Sequence, residues 1–121
     1  MDNKKIILIV DDESAIVEFL EMILLDFGYL VISAETGKKA IEILEEEKDK
    51  IEIILLDINL PDISGNILFW KFRDIFPEIK IIISSGDILN ENIKKMLDYG
   101  ETKYIGKPYG IEELKEILEW N

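Results

Sequence analysis

Two kinds of segment alternate along the chain. Residues 5–10, 51–56 and 80–84 are short runs of β-branched and other apolar residues with few polar interruptions. That is the pattern of strands covered on both faces, as in a parallel sheet. Residues 29–33 and 103–106 read as weaker strands nearer the sheet edges. Between the strands lie stretches with the helical period. In residues 14–27, Ile16, Phe19, Leu20, Ile23 and Leu24 fall on one stripe, and Gly28 follows as a helix C-cap. Thr36 is placed to cap a helix running through Glu46 that turns Ala40, Ile41 and Leu44 inward. Ser64 is placed to cap the next helix, which ends before Pro77 and buries Ile67, Leu68, Phe72 and Ile75. A fourth helix spans about residues 89–99 and stops at Gly100. A fifth spans 110–120, with Ile111, Leu114, Ile117 and Leu118 as its stripe.

Strict strand–helix alternation implies right-handed crossovers and a parallel sheet with helices on both faces. Five units are too few for a closed eight-stranded barrel, so the expected fold is α/β, an open doubly wound five-stranded parallel sheet, (βα)5. No internal repeat, low-complexity segment or linker interrupts the pattern, and one domain over residues 1–121 is expected. Such sheets carry their sites beyond the carboxyl ends of the strands. Four sets of polar residues occupy those positions: Asp11-Asp12-Glu13, Asp57, Ser84-Ser85-Gly86 and Lys107-Pro108.

Composition narrows the chemistry. The chain has 26 acidic residues against 14 Lys and Arg, a net charge of −12, with 48% hydrophobic residues. That hydrophobic content is too high for a disordered acidic tail. The negative charge argues against direct nucleic-acid binding, whose affinity comes from Lys and Arg at phosphates, and against an anionic membrane surface. No stretch approaches the ~20 consecutive apolar residues of a membrane span. There is no Cys and no His, which removes disulfides, thiolate nucleophiles, imidazole metal sites and His-based triads. The available chemistry is that of carboxylates, hydroxyls, amines and backbone.

Asp11 and Asp12 directly follow a buried strand and read either as caps for the next helix or as part of a site. Asp57 has no such second reading, because no helix begins before about Ser64. Carboxylates converging on one edge repel one another unless a cation sits among them, and an all-oxygen set suits Mg²⁺ or Mn²⁺ before zinc. Pro108 restricts Lys107 to an extended backbone, which directs its ammonium toward the acids, where it can pair with Asp57 or with a phosphoryl oxygen placed on it. Ser85 offers a hydroxyl and Gly86 a close backbone approach. Tyr104, Trp70 and Trp120 read as packing aromatics.

Taken together, Asp11-Asp12, Asp57-Ile58-Asn59-Leu60-Pro61-Asp62-Ile63-Ser64-Gly65, Ser85-Gly86 and Tyr104-Ile105-Gly106-Lys107-Pro108 resemble the receiver domain of two-component response regulators. The resemblance covers essentially the whole chain and implies the flavodoxin-like strand order 2-1-3-4-5. It also implies that Asp57 accepts a phosphoryl group from a phosphohistidine on a sensor histidine kinase or phosphotransfer protein. In that role Asp12 would bind Mg²⁺ directly, Asp11 largely through water, Asp57 itself and Asn59 through its backbone carbonyl. Lys107 would contact the phosphoryl group and Ser85 would swing toward it. Tyr104 would follow, reshaping the face of the fourth helix, fifth strand and fifth helix for a downstream protein. The implied protein is a cytoplasmic phospho-acceptor that catalyses its own phosphorylation and dephosphorylation rather than an enzyme with a separate substrate.

Departures from the pattern are small. Ser85 stands where Thr is common, and Glu101 stands after Gly100 where Ala is usual, implying a more solvated loop before the fifth strand. Ser84-Ser85-Gly86-Asp87 and Lys107-Pro108-Tyr109 with Glu112-Glu113-Leu114 are similar to receivers attached to hybrid sensor kinases, so a module of a longer protein is an alternative. Other classes fit less well. A flavodoxin-like carrier would bind its phosphate after the first strand, where Asp11-Asp12-Glu13 repel it. An aspartate-nucleophile phosphatase would be expected to carry a second Asp at position 59, which is Asn. A degenerate receiver serving as a binding module would not need the acids, hydroxyl and lysine, all of which are present.

Overall fold

A computed structural model describes residues 5–86 and 89–120. Five strands, β1 (Ile6–Val10), β2 (Leu30–Ala34), β3 (Ile51–Asp57), β4 (Lys80–Ser85) and β5 (Thr102–Gly106), alternate with five helices. The helices are α1 (Ser14–Asp26), α2 (Gly37–Glu47), α3 (Gly65–Ile75), α4 (Glu91–Leu97) and α5 (Ile111–Ile117). The sheet runs β2-β1-β3-β4-β5 with every neighbouring pair parallel. The two segments read as weaker strands are its edges.

Side-chain alternation along each strand divides the core in two. Leu8, Val10, Ile54, Leu56, Ile81 and Ile83 face Ala40 and Leu44 of α2, Leu68, Phe69 and Phe72 of α3, and Ile93 and Met96 of α4. Ile7, Ile9, Ile53, Leu55, Ile82 and Ile105 face Leu20 and Leu24 of α1 and Leu114 and Leu118 from α5 and its C-cap. Both faces of the central strands are covered, which is why their sequences are continuously apolar rather than alternating. No helix among the described residues is long and apolar enough to cross a membrane.

The local caps follow the sequence. Thr36 Oγ1 accepts from the Lys39 amide (3.1 Å) and Ser64 Oγ from the Ile67 amide (3.3 Å). Gly28, at φ +95°, closes α1 in the left-handed region that L side chains rarely adopt. Differences from the sequence expectation lie at helix margins. Ile67 is 55% exposed and Phe69 is fully buried, because α3 packs between α2 and α4 and its inward face is rotated toward residues 68, 69 and 72. Phe19 and Ile111 also lie at the edges of their stripes and stay exposed. The fourth helix starts later than expected because Asn90 caps it, accepting from the Ile93 amide (2.9 Å), and Gly100 ends its C-terminal turn at φ +70°. The fifth stops at Ile117; Trp120 instead donates its indole N–H to Glu101 Oε2 (2.6 Å) and lies against Lys103. Glu101 is exposed, as expected of a solvated loop, but this bond ties it to the chain's last turn.

At the edge of the sheet opposite the candidate site, Arg73 is 4% exposed. Its guanidinium donates to the carbonyls of Pro77, Ile79 and Glu101 and to Thr102 Oγ1, and it lies over the Phe69 ring. Burial pushes its pKa down, partly offset by Glu101. A side chain at Gly100 would meet this guanidinium at 2.9 Å. Arg73→Met keeps the stem but leaves those acceptors without a donor, at a cost on the order of 3 kcal/mol. Urea unfolding checks this; an unchanged midpoint would show that water replaces the arginine without loss.

Candidate functional site

The topology brings residues from four strand ends to one edge. Asp11 follows β1, Asp57 ends β3, Ser85 ends β4 and Lys107 follows β5. Asp11, Asp12 and Asp57 each offer a carboxylate oxygen within 4.8 Å of the others. Asp11 and Asp57 are buried, at 3% and 4% exposed, while Asp12 opens to solvent. Neither Asp11 nor Asp12 caps α1. The N-cap is Glu13, which makes no side-chain capping bond, and Asp11 Oδ1 instead accepts from the Glu13 amide (2.9 Å). The capping reading of the two acids therefore gives way to the clustered one.

Lys107 reaches into this cluster as its extended backbone suggests. Its Nζ lies 3.2 Å from Asp57 Oδ2, 3.4 Å from Asp11 Oδ2 and 3.9 Å from Glu13 Oε1. The Lys107 amide continues the β4–β5 pairing by donating to the Ser85 carbonyl (2.7 Å), and the Lys107–Pro108 peptide is cis. Burial pulls the Lys107 ammonium down, but the facing carboxylates of Asp57 and Asp11 outweigh it and raise its pKa above the usual lysine value. Burial likewise pushes the Asp57 carboxyl up, aided by Asp11. The Asn59 amide (3.0 Å from Oδ1) and Lys107 oppose that shift without cancelling it.

Asn59 sits exposed on the β3–α3 loop. Ser85 is buried, and its carbonyl accepts from both the Lys107 amide and the Tyr104 hydroxyl, the latter at 3.5 Å. Tyr104 is half-buried on β5, so the two residues stand in contact through that carbonyl. Asp87, the last residue of the Ser84-Ser85-Gly86-Asp87 stretch, lies outside the described residues.

Three residues that stand within the quoted motifs were given no role in the site from sequence. Glu13 supplies a third acid to Lys107. Tyr109, two residues after Lys107, is pushed up by burial among Lys107, Asp11 and Asp57, and with Ile16, Phe19 and Pro108 it lines an apolar hollow of about 390 Å³ beside the site. Asp62 accepts from the Gly37 and Lys38 amides (2.9 and 3.2 Å), and the Gly37 amide foremost holds its carboxyl below the usual range. The aromatic after Lys-Pro was a visible signal for Tyr109; Asp62 had none, since its partners lie 25 and 24 residues away.

The site is thus an acidic cluster with a partly buried lysine at the carboxyl edge of a 2-1-3-4-5 parallel sheet, a doubly wound α/β fold. The family model of the response regulator receiver domain matches residues 7–119, and the chain belongs to this family. It is similar to a solved CheY-like receiver domain protein of Methanospirillum hungatei (34% identity, TM-score 0.86, covering 95% of this chain and 90% of that one). It is also similar to CheY in the CheX–CheY–BeF3–Mg²⁺ complex of Borrelia burgdorferi (25% identity, TM-score 0.86, 93% and 84% covered). Among curated relatives, the sensor kinase CckA of Brucella abortus is 32% identical over 120 residues, covering 93% of this chain and 12% of that protein. The chain spans 12–30% of the length of the first curated relatives it matches.

The raised Asp57 pKa fixes the sign of a stability effect. A carboxyl whose folded pKa lies above its unfolded value favours the fold below the unfolded value near 3.8 and loses that contribution as pH rises through the folded value. Asp57→Asn, in the absence of divalent cations, is therefore expected to raise the urea midpoint near neutral pH. The gain should shrink toward zero as the pH falls to about the unfolded carboxyl value. An equal or lower midpoint for the variant at neutral pH would contradict the upward shift that burial imposes on Asp57.

Proposed function

We propose that this receiver domain takes a phosphoryl group onto Asp57 from a phosphohistidine on a sensor histidine kinase or histidine phosphotransfer protein. One carboxylate oxygen of Asp57 bonds to phosphorus as the P–N bond of the donor breaks, and the imidazole leaves with the electron pair. The observation that carries this reading is Lys107 Nζ within 3.4 Å of both buried carboxylates, Asp57 and Asp11. The ammonium is already held where negative charge gathers on the transferring group, and such positioning with charge stabilisation is most of what phosphoryl transfer needs.

The donor set fits a hard divalent ion: three carboxylates with clustered oxygens, in a chain with no Cys or His. Asp11, Asp12, Asp57 and the Asn59 backbone carbonyl would hold Mg²⁺, with Mn²⁺ as substitute. When bound it supplies the positive charge that lets an anionic phosphoryl group approach the acids. Lys107 orients the group on Asp57, and the Ser85 hydroxyl donates to it. Tyr104, already bonded to the Ser85 carbonyl, shifts with Ser85 and changes the face of α4, β5 and α5 that a downstream protein reads.

On this reading the domain is a cytoplasmic phospho-acceptor that catalyses its own phosphorylation and dephosphorylation, not an enzyme with a separate substrate. The match to a sensor kinase of which the chain covers 12% favours a second arrangement, the same chemistry within a longer protein.

Intact mass after incubation with acetyl phosphate tests the reading. The expected gain is one phosphoryl group, on the wild type with Mg²⁺ and not on Asp57→Asn or in chelator. Retention of the group by Asp57→Asn would sink it. Lys107→Ala is expected to slow the gain on the order of a hundredfold. It should also abolish the change in the Tyr104 ring resonances that beryllofluoride with Mg²⁺ produces in the wild type. Unchanged Tyr104 resonances in the wild type would remove Tyr104 from the switch.

A further inference from the structure

We propose that Asp62 is a positioning residue for the cation site: it fixes the loop carrying Asn59 by anchoring it to the first turn of α2. The inference rests on the reading of Asp57 and its metal given above.

The loop, residues 58–64, leaves the sheet edge after Asp57 and returns to α3. Its ends are pinned. The Ile58 amide donates to the Ser84 carbonyl (3.1 Å) and the Gly65 amide to the Ile58 carbonyl (3.0 Å). A side chain at Gly65 would fall 2.6 Å from Ile58 Cα, so the loop closes at a point where only glycine fits. Asn59 is held at its amide by Asp57 Oδ1. Between these ends stand Pro61, which has no amide hydrogen, and Asp62, exposed to solvent.

An exposed aspartate in a loop is ordinarily hydrated and unconstrained. Here both carboxylate oxygens are engaged, Oδ1 by the Gly37 amide and Oδ2 by the Lys38 amide. Those are successive orphan donors at the start of α2, and the third, Lys39, is taken by Thr36 Oγ1. Charge at a helix N-terminus strengthens such bonds. Next to Asp62, Ile63 packs over Gly37 so closely that a side chain there would meet its Cβ at 3.0 Å. The helix they grip is itself held to the core by Ala40 and Leu44, both fully buried. Yet α2 contributes no residue to the acid cluster. Its contribution to the site is a fixed anchor three residues beyond Asn59, which spares the loop an ordering cost when the Asn59 carbonyl takes up a cation.

A purely structural role, capping α2, makes a different prediction, because Thr36 caps the same helix without touching the loop. Calorimetric titration of the chain with Mg²⁺ separates the two. Asp62→Ala is expected to weaken Mg²⁺ binding about tenfold, the lower end of the range for residues that orient metal ligands. Asp62→Asn, which keeps one acceptor, should fall between it and wild type. Thr36→Ala should bind as wild type does. Wild-type affinity in Asp62→Ala, or an equal loss in Thr36→Ala, would overturn the positioning role and leave the site reading intact. Absence of Mg²⁺ binding by the wild type would overturn both. Should Asp62→Ala melt below the working temperature, Asp62→Asn carries the test, and wild-type affinity in it would overturn the proposal.

Discussion

Two buried carboxylates and a third at the rim share one lysine, and most of the architecture follows from arranging that. Asp11 and Asp57 end adjacent strands, so parallel pairing of β1 and β3 forces them together. Lys107 leaves β5, two strands from β3, and its ammonium must cross the end of β4 to reach them. Neighbouring strands lie about 4.8 Å apart, so the crossing is close to 10 Å. That distance suits the long lysine stem, and β4 ends in the small residues Ser84, Ser85 and Gly86. Burial at this edge, with Asp11 beside it, raises the Asp57 pKa against the pull of the Asn59 amide and the single ammonium. Clustered carboxylates of this kind suit a hard divalent cation.

The same arrangement connects the acid cluster to a distant surface. The Ser85 carbonyl accepts from the Lys107 amide and from the Tyr104 hydroxyl. Ser85 and Lys107 are thereby linked through one carbonyl to Tyr104, which packs against the α2–α3–α4 side of the core. At the other end of β5, Arg73 clamps Glu101 and Thr102 to the end of α3. One end of β5 is held by a buried cation and the other lies in the site.

Where the determinants were local, the sequence already showed them. Thr36 and Ser64 cap amides three residues away, and the apolar runs identify strands buried on both faces. Lys107 was legible because Pro108 follows it directly. Ile67 was misassigned and Phe69 passed over because α3, flanked on both sides by helices, turns its inward face toward residues 68, 69 and 72. Asp62 was illegible because its partners lie 25 and 24 residues away, and Arg73 because two of its acceptors, on Glu101 and Thr102, lie 28 and 29 residues away. Arg73 did leave a trace, as the one arginine in a chain of 13 lysines. A planar fork was needed there to serve several carbonyls, which an ammonium cannot match.

The central claim is that Asp57, and not its acidic neighbours, is the nucleophile. Borohydride reduction of the phosphorylated protein converts an aspartyl phosphate to homoserine, and peptide mapping then locates it. The account predicts homoserine at position 57 alone. Homoserine at Asp11 or Asp12, or a phosphoryl group that resists reduction because it is not on a carboxylate, would contradict it.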